Sequence, residues 1–137
     1  MLYTIQNDTV LAVIDSYAGT LERLYHKPSQ TEHIWKYDAA YWPRRTSICF
    51  PIMSVLRDDE TQIEGKMYHM ENHGFLRQTQ MQAVRQSPDE IVLRAQADDT
   101  TRKMYPYQFC FDAVYRLLPD GMQVEYRVTN HDARNMY

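Results

Sequence analysis

Apolar and polar positions alternate with a period of two over much of the chain, most clearly toward its C-terminal end. Residues 107–117 place six side chains on one side: Tyr107, Phe109, Phe111, Ala113, Tyr115 and Leu117. Residues 122–128 predict a returning strand whose inward side chains are Met122, Val124, Tyr126 and Val128. The intervening Pro119-Asp120-Gly121 is typical of a hairpin turn. This alternation indicates two antiparallel strands.

The other segments are shorter and are separated by turn-forming residues. Residues 9–15 are apolar on both faces, which predicts a central strand. Residues 38–42 favour one helical turn stopped by Pro43, and a hairpin is expected around Glu64-Gly65-Lys66. Further strands are predicted at residues 2–6, 21–26, 32–35, 77–86 and 91–97. Because no segment keeps a helical period, we predict an all-β, antiparallel, multi-strand sandwich.

Composition narrows the class of protein. A chain of 137 residues is long enough for a single domain, residues 1–137, with a real core. The net charge of -3 and the absence of a basic stripe argue against a nucleic-acid partner. No apolar run approaches the roughly 18 residues of a membrane span, and no secretory leader is visible. Cys49 and Cys110 are expected to be reduced, which favours a cytoplasmic location.

Candidate chemistry concentrates in residues 72–77. This stretch places the His73 imidazole, the Phe75 ring and the Arg77 guanidinium beside Gly74. Glycine lets the backbone turn sharply or pass close to a ligand. We therefore weigh two interpretations of His73, an ordinary turn with a solvated imidazole and an imidazole directed into a cleft.

Two other kinds of site fit the sequence poorly. His69 and His73 are four residues apart, but Asn72 and Gly74 oppose the helix that would bring them together, and a catalytic zinc needs three protein ligands. We therefore expect no metal. No serine-hydrolase elbow or phosphate-binding glycine loop is present.

A series of motifs follows one order along nearly the whole chain. They are Ala18-Gly19, Ile34-Trp35, Tyr41-Trp42, Phe50-Pro51-Ile52, Gly65 with Tyr68, His73-Gly74-Phe75 with Arg77, Tyr105-Pro106-Tyr107 with Phe109, and Tyr115. Together they resemble the aldose 1-epimerase (galactose mutarotase-like) family, most of all its LacX-type branch. The resemblance implies part of a β-supersandwich that binds a hexose in a shallow cleft. The family reaction interconverts α and β anomers of free aldoses without a cofactor.

The resemblance also implies roles for individual residues. His73 would be the first of two family histidines in the sugar pocket and would hydrogen-bond the sugar near its ring oxygen. Phe75 and Arg77 would line the same cleft. The family's sugar-binding Gly-Arg pair is replaced here by Ser54-Val55, and Arg57 is the candidate substitute on a similar strand face.

Family members are about twice as long as this chain. Their second histidine and their glutamate base lie beyond the region that resembles residues 1–137. Opening and reclosing a sugar ring requires a positioned acid and a positioned base. We therefore expect an N-terminal portion of the family fold that binds hexose weakly and is inactive alone. The alternative is a noncatalytic carbohydrate-binding or structural module completed by another chain. We also expect a homo-oligomer, because exposed sheet edges invite pairing.

Overall fold

The computed structural model describes residues 1–42 and 46–137. The described residues form ten strands and three short 3₁₀ helices. The strands are β1 Leu2–Gln6, β2 Val10–Asp15, β3 Thr20–His26, β4 Thr31–Glu32, β5 Glu60–Ile63, β6 Lys66–His69, β7 Gln82–Gln86, β8 Glu90–Gln96, β9 Phe109–Leu118 and β10 Gly121–Asn130. The 3₁₀ helices are Arg57–Asp59, Leu76–Gln78 and Thr101–Lys103.

The strands form two four-stranded sheets and one hairpin, and every paired strand is antiparallel to its neighbour. One sheet has the order β1-β2-β3-β4, the other has the order β10-β9-β8-β7, and β5 pairs with β6. The predicted all-β antiparallel fold is therefore confirmed. β2 lies between β1 and β3, which confirms its central position. No helix in the described ranges is both long and apolar enough to cross a membrane.

Both four-stranded sheets contribute to one hydrophobic core. All six apolar side chains predicted to share one side of residues 107–117 are less than a tenth exposed. They pack in one cluster with side chains of β1, β2 and β8, including Ile5, Ala12, Ile14, Ile91 and Leu93. Alternation in β9 therefore identified the inward face correctly.

The two sheets are joined near Gly19. The buried Tyr115 hydroxyl on β9 donates a hydrogen bond to the Gly19 carbonyl, 96 residues earlier in the chain. Gly19 has a φ of +59°, and a β-carbon there would lie 2.7 Å from Ile48 Cδ1. The Met81 N–H also donates to the Ser16 carbonyl across 2.8 Å. These contacts fix the start of β3 against the second sheet.

The apolar side chains of β10 were predicted to be buried inward, but three of them are exposed. Val124, Tyr126 and Val128 are 40%, 55% and 44% exposed. They do lie on the core side of the sheet, because they pair in register with the buried Tyr115, Ala113 and Phe111 of β9. β10 is the last strand of its sheet, and the covering layer of described residues does not enclose these side chains.

Two predicted strands are shorter than expected, and the predicted helical turn forms as a single turn. Residues 77–86 do not form one strand, because Arg77 lies in a 3₁₀ helix and β7 begins at Gln82. The strand predicted at residues 32–35 is confined to Thr31–Glu32, and Trp35 is exposed. A single turn, closed by the Trp42 N–H and the Asp38 carbonyl, forms where one helical turn was predicted. The predicted stop at Pro43 lies outside the described residues.

Candidate functional site

The turn that carries His73 follows directly from the β5–β6 hairpin. Glu64 and Gly65 make the hairpin turn with φ values of +50° and +80°, where the sequence predicted it. After β6, His73 and Gly74 have φ values of +66° and +71°. Histidine tolerates this left-handed conformation better than most side chains, and glycine adopts it freely. Two consecutive left-handed residues reverse the chain sharply at this point.

Residues 50–54 hold the turn in place through backbone contacts. The Phe75 N–H donates to the Phe50 carbonyl across 3.0 Å, and the His73 N–H donates to the Ser54 carbonyl across 3.0 Å. The Gly74 N–H donates to the Glu71 carbonyl across 2.9 Å. The position of His73 is therefore set by backbone hydrogen bonds on both sides of Gly74.

Phe75 belongs mainly to the core. It is 7% exposed, and its ring centroid lies 6.0 Å from that of Phe50 and 5.8 Å from that of Phe109. The Phe50 and Phe75 rings meet edge to face, an arrangement that aromatic pairs prefer. Phe75 therefore packs in the core next to the turn, and only a small part of its ring is accessible to a ligand.

Tyr105 joins the same aromatic cluster. Its ring centroid lies 5.9 Å from that of Phe50, and its hydroxyl donates to the Tyr137 carbonyl across 2.6 Å. Burial raises the pKa of Tyr105 to about 12. Its hydroxyl therefore stays protonated near neutral pH and does not serve as a base.

Three buried polar atoms in residues 72–77 have no hydrogen-bond partner among the described residues. They are Asn72 Oδ1, His73 Nδ1 and Arg77 Nε. Buried polar atoms are nearly always hydrogen-bonded, and an unsatisfied one costs roughly 1–3 kcal/mol. Their concentration in one short segment is the main chemical feature of the turn. The composition of the sequence could not reveal it, because it depends on which side-chain atoms the fold buries.

Arg57, the fourth predicted site residue, is exposed on the surface, unlike the buried polar atoms of residues 72–77. It begins the 3₁₀ helix Arg57–Asp59, so its expected place on a strand face is wrong. Its side chain is 96% exposed and lies 3.7 Å from the Asp58 carboxylate. An exposed ion pair of this kind contributes little to stability. A role for Arg57 in sugar binding stays a prediction.

A cavity of about 750 Å³ adjoins the turn on the side of Gly74 and Phe75. The ionisable groups in its lining come from His69, Glu71, Asp98 and Lys103, whereas His73 and Arg77 do not line it. Gln78 Nε2 donates to Glu71 Oε2 across 3.2 Å at this cavity. Sequence reasoning missed it, because Lys103 belongs to the 3₁₀ helix Thr101–Lys103, and no local pattern indicates that this helix lies near residues 69–78.

The described ranges contain no group of three or more histidine, cysteine, aspartate or glutamate side chains that could hold a metal ion. Cys49 and Cys110 are both free thiols, as expected. Burial raises the pKa of the Cys110 thiol, which keeps it protonated. Cys110 is therefore an inert core side chain.

Comparison with known proteins identifies the family of the whole chain. Residues 1–137 match the family model for aldose 1-epimerase along their whole length. The chain belongs to the aldose 1-epimerase family. The resemblance drawn from the order of the sequence motifs is thereby confirmed at the level of the family.

Curated relatives show what fraction of a related protein's length this aldose 1-epimerase homologue covers. Protein LacX (chromosomal) of Lactococcus lactis subsp. lactis is 24% identical over 135 residues, which are 95% of this chain and 45% of that protein. Its plasmid counterpart has the same identity and coverage. The chain thus spans about half the length of the curated relatives it matches.

Solved structures of related proteins are likewise matched over about half of their length. A galactose mutarotase related enzyme from Lactobacillus acidophilus is 28% identical, with a TM-score of 0.95 over 99% of this chain and 45% of that one. A galactose mutarotase-like protein from Lactobacillus casei ATCC 334 is also 28% identical, with a TM-score of 0.95, and 46% of its chain is covered. The predicted galactose mutarotase-like fold is therefore confirmed.

Proposed function

We propose that this aldose 1-epimerase homologue binds a free hexose at the turn formed by residues 72–77. We further propose that the 137-residue chain does not interconvert sugar anomers by itself. The observation that carries the binding proposal is the set of buried atoms without partners at Asn72, His73 and Arg77. Family membership supports a sugar as the ligand that satisfies them.

A sugar suits this set of atoms because each hydroxyl both donates and accepts hydrogen bonds. Asn72 Oδ1 can only accept, and Arg77 Nε can only donate. His73 Nδ1 can do either, depending on its tautomer. A purely anionic ligand would satisfy Arg77 and leave the Asn72 oxygen without a donor. A polyol is the class of ligand that matches all three.

The same set of groups does not suffice for catalysis. Ring opening and closure need one group that removes a proton and another that supplies one. Of the three side chains, only the His73 imidazole is of a type that enzymes commonly use as a general acid or base, so the set supplies one such group and not two. The second histidine and the glutamate implied by the family resemblance lie beyond the region that this chain matches.

The test combines a binding measurement with a rate measurement. Addition of glucose or galactose should shift the NMR signals of the His73 imidazole, with an affinity in the millimolar range or about -4 kcal/mol. The polarimetric relaxation of α-glucose should proceed at the rate of the buffer alone. Relaxation at a rate typical of enzymes would contradict the catalytic half of the proposal.

His73→Asn is the informative variant, because asparagine tolerates the left-handed backbone at this position. Loss of one hydrogen bond of about 1 kcal/mol should weaken sugar binding roughly fivefold, followed in both proteins by the backbone amide NMR signals of the turn. The matched control is His69→Asn, an exposed histidine four residues earlier, which should leave the affinity unchanged. If His69→Asn weakens binding and His73→Asn does not, the sugar lies in the neighbouring cavity. If no sugar binds at all, a structural role is favoured.

A further inference from the structure

Thr79 forms hydrogen bonds through three of its groups, directly after the 3₁₀ helix that carries Arg77. Its hydroxyl donates to the Phe75 carbonyl across 2.9 Å, and its N–H donates to the Leu76 carbonyl across 3.0 Å. Its own carbonyl accepts from the Ala18 N–H across 2.8 Å. Thr79 therefore joins the helix that carries Arg77 to the loop between β2 and β3.

The loop between β2 and β3 also holds the two residues that follow Thr79. The Met81 N–H donates to the Ser16 carbonyl across 2.8 Å, and Gln80 Nε2 donates to Ser16 Oγ across 2.7 Å. Ser16 is only 1% exposed, so these bonds are shielded from water. All of these contacts lie within residues 16–81, and none of them involves β10. The loop is thus a fixed support on which Thr79 is held.

The 3₁₀ helix Leu76–Gln78 is too short to be stable by its own hydrogen bonds. It has three residues, and even α-helices, whose hydrogen-bond geometry is better, are marginal in water below about 12 residues. Its N-cap residue, Phe75, makes no side-chain cap hydrogen bond. The Phe75 carbonyl accepts from the Gln78 N–H across 3.0 Å and also from the Thr79 hydroxyl. The hydroxyl therefore adds a second bond to the carbonyl at which the helix begins.

We propose that Thr79 is a positioning residue for the Arg77 guanidinium and acts through the Phe75 carbonyl. This inference rests on the proposed binding of a hexose at residues 72–77, and it names a residue outside that turn on which the affinity depends. Arg77 Nε is buried without a partner among the described residues, so no hydrogen bond at that atom fixes its direction. Its direction depends instead on the backbone of the 3₁₀ helix, which Thr79 ties to the loop between β2 and β3.

Thr79→Val tests the proposal, because it removes the hydroxyl and keeps a β-branched side chain. Such a side chain suits the extended backbone of Thr79, whose φ and ψ are -101° and 132°. The Phe75 carbonyl keeps its bond from the Gln78 N–H, so it is not left without a donor. The variant should weaken the binding of glucose or galactose about fivefold, the equivalent of one hydrogen bond, followed by the backbone amide NMR signals of residues 72–77.

A second readout follows Arg77 directly and needs no sugar. In Thr79→Val, NMR should show the Arg77 Nε–H exchanging with water about fivefold faster, because the short helix opens more often. Thr79→Ser keeps a hydroxyl and should return both the exchange rate and the affinity to their original values. The matched control is Thr20→Val at the start of β3, where the Thr20 hydroxyl donates to the Tyr17 carbonyl across 3.2 Å. It should change neither quantity.

A direct contact between the sugar and Thr79 is the competing explanation, because Thr79 also lines the cavity beside the turn. Combining Thr79→Val with Arg77→Met separates the two. If Thr79 acts through Arg77, Thr79→Val should weaken binding no further once Arg77 has been replaced.

An equal loss of affinity in both backgrounds, or an unchanged Arg77 Nε–H exchange rate, overturns the proposal. If no sugar binds to the original chain, the proposed function fails, and the exchange rate still decides whether Thr79 positions the guanidinium. Thr79→Ala supplies the same comparison if the valine variant does not fold.

Discussion

The carbonyl oxygen of Phe50 lies so close to Gly74 that a β-carbon added there would be 2.1 Å from it. The same oxygen accepts the hydrogen bond from the Phe75 N–H. Gly74 also has a φ of +71°, which disfavours any residue with a β-carbon. Two separate physical reasons thus require glycine beside His73, and both fix the turn that carries the candidate sugar contacts.

Gly74→Ala should therefore be severely destabilising. The left-handed backbone costs about 1–2 kcal/mol for alanine, and the contact with the Phe50 backbone adds to it, so we expect a loss above about 3 kcal/mol or a failure to fold. Urea unfolding followed by circular dichroism measures the change in the free energy of unfolding.

Gly65→Ala is the matched control for that variant. Gly65 has a φ of +80°, but nothing lies within 4 Å of an added β-carbon. It should cost only the backbone term of about 1 kcal/mol. Equal losses at Gly65 and Gly74 would show that the Phe50 contact is unimportant.

Where the sequence predicted the fold well, the relevant contacts were local. The alternation along β9 identified its buried face, and Pro119-Asp120-Gly121 identified the turn into β10, since both depend on neighbouring residues. The burial of Val124 and Tyr126 was predicted wrongly for a different reason. A strand pattern shows which face is apolar, but burial depends on whether another layer of the fold reaches it.

In the candidate site too, the local features could be predicted from the sequence and the long-range contacts could not. Glycine beside His73 correctly indicated a sharp turn, because backbone freedom is a local property. The bond from Phe75 to the Phe50 carbonyl joins residues 25 positions apart, so no spacing rule could find it. That distant bond lies directly before the 3₁₀ helix Leu76–Gln78, so Arg77 is helical and not the first residue of a strand as predicted.

Arg77→Met should raise the free energy of unfolding while weakening sugar binding. Arg77 Nε is buried without a partner among the described residues, and replacing it with an apolar group of similar length removes an unsatisfied donor. We expect a gain of about 1 kcal/mol in urea unfolding without sugar. The same variant should reduce the NMR response to glucose or galactose.

Arg57→Met serves as the control for that substitution. The Arg57 side chain is 96% exposed, so its replacement should change stability by no more than about 0.5 kcal/mol. If Arg77→Met instead lowers the free energy of unfolding by more than about 1 kcal/mol, the Arg77 side chain makes a stabilising contact in the folded chain and is not free to bind a ligand.

Acid stability should depend on the Asp112–Arg94 pair that joins β9 to β8. Arg94 Nε and Nη2 donate to the two Asp112 carboxylate oxygens across 2.7 and 2.8 Å. These hydrogen bonds lower the pKa of Asp112 below its ordinary value of 3.8, against the opposing effect of burial. The unfolded chain therefore takes up this proton at a higher pH than the folded chain. The stabilisation is present above pH 3.8 and is lost as the pH falls through the lower, folded-state pKa.

Asp112→Asn tests this directly, because asparagine approximates the protonated side chain. Unfolding in urea at a series of pH values should show the original chain more stable than the variant at about pH 5. The difference should shrink as the pH falls from 3.8 through the lower, folded-state pKa of Asp112. Asp120→Asn, in the exposed turn before β10, should show no such trend. A stability difference for Asp112→Asn that stays constant from pH 5 to pH 2 would mean that the Arg94 contact does not respond to protonation of Asp112, and that its contribution comes from packing and not from charge.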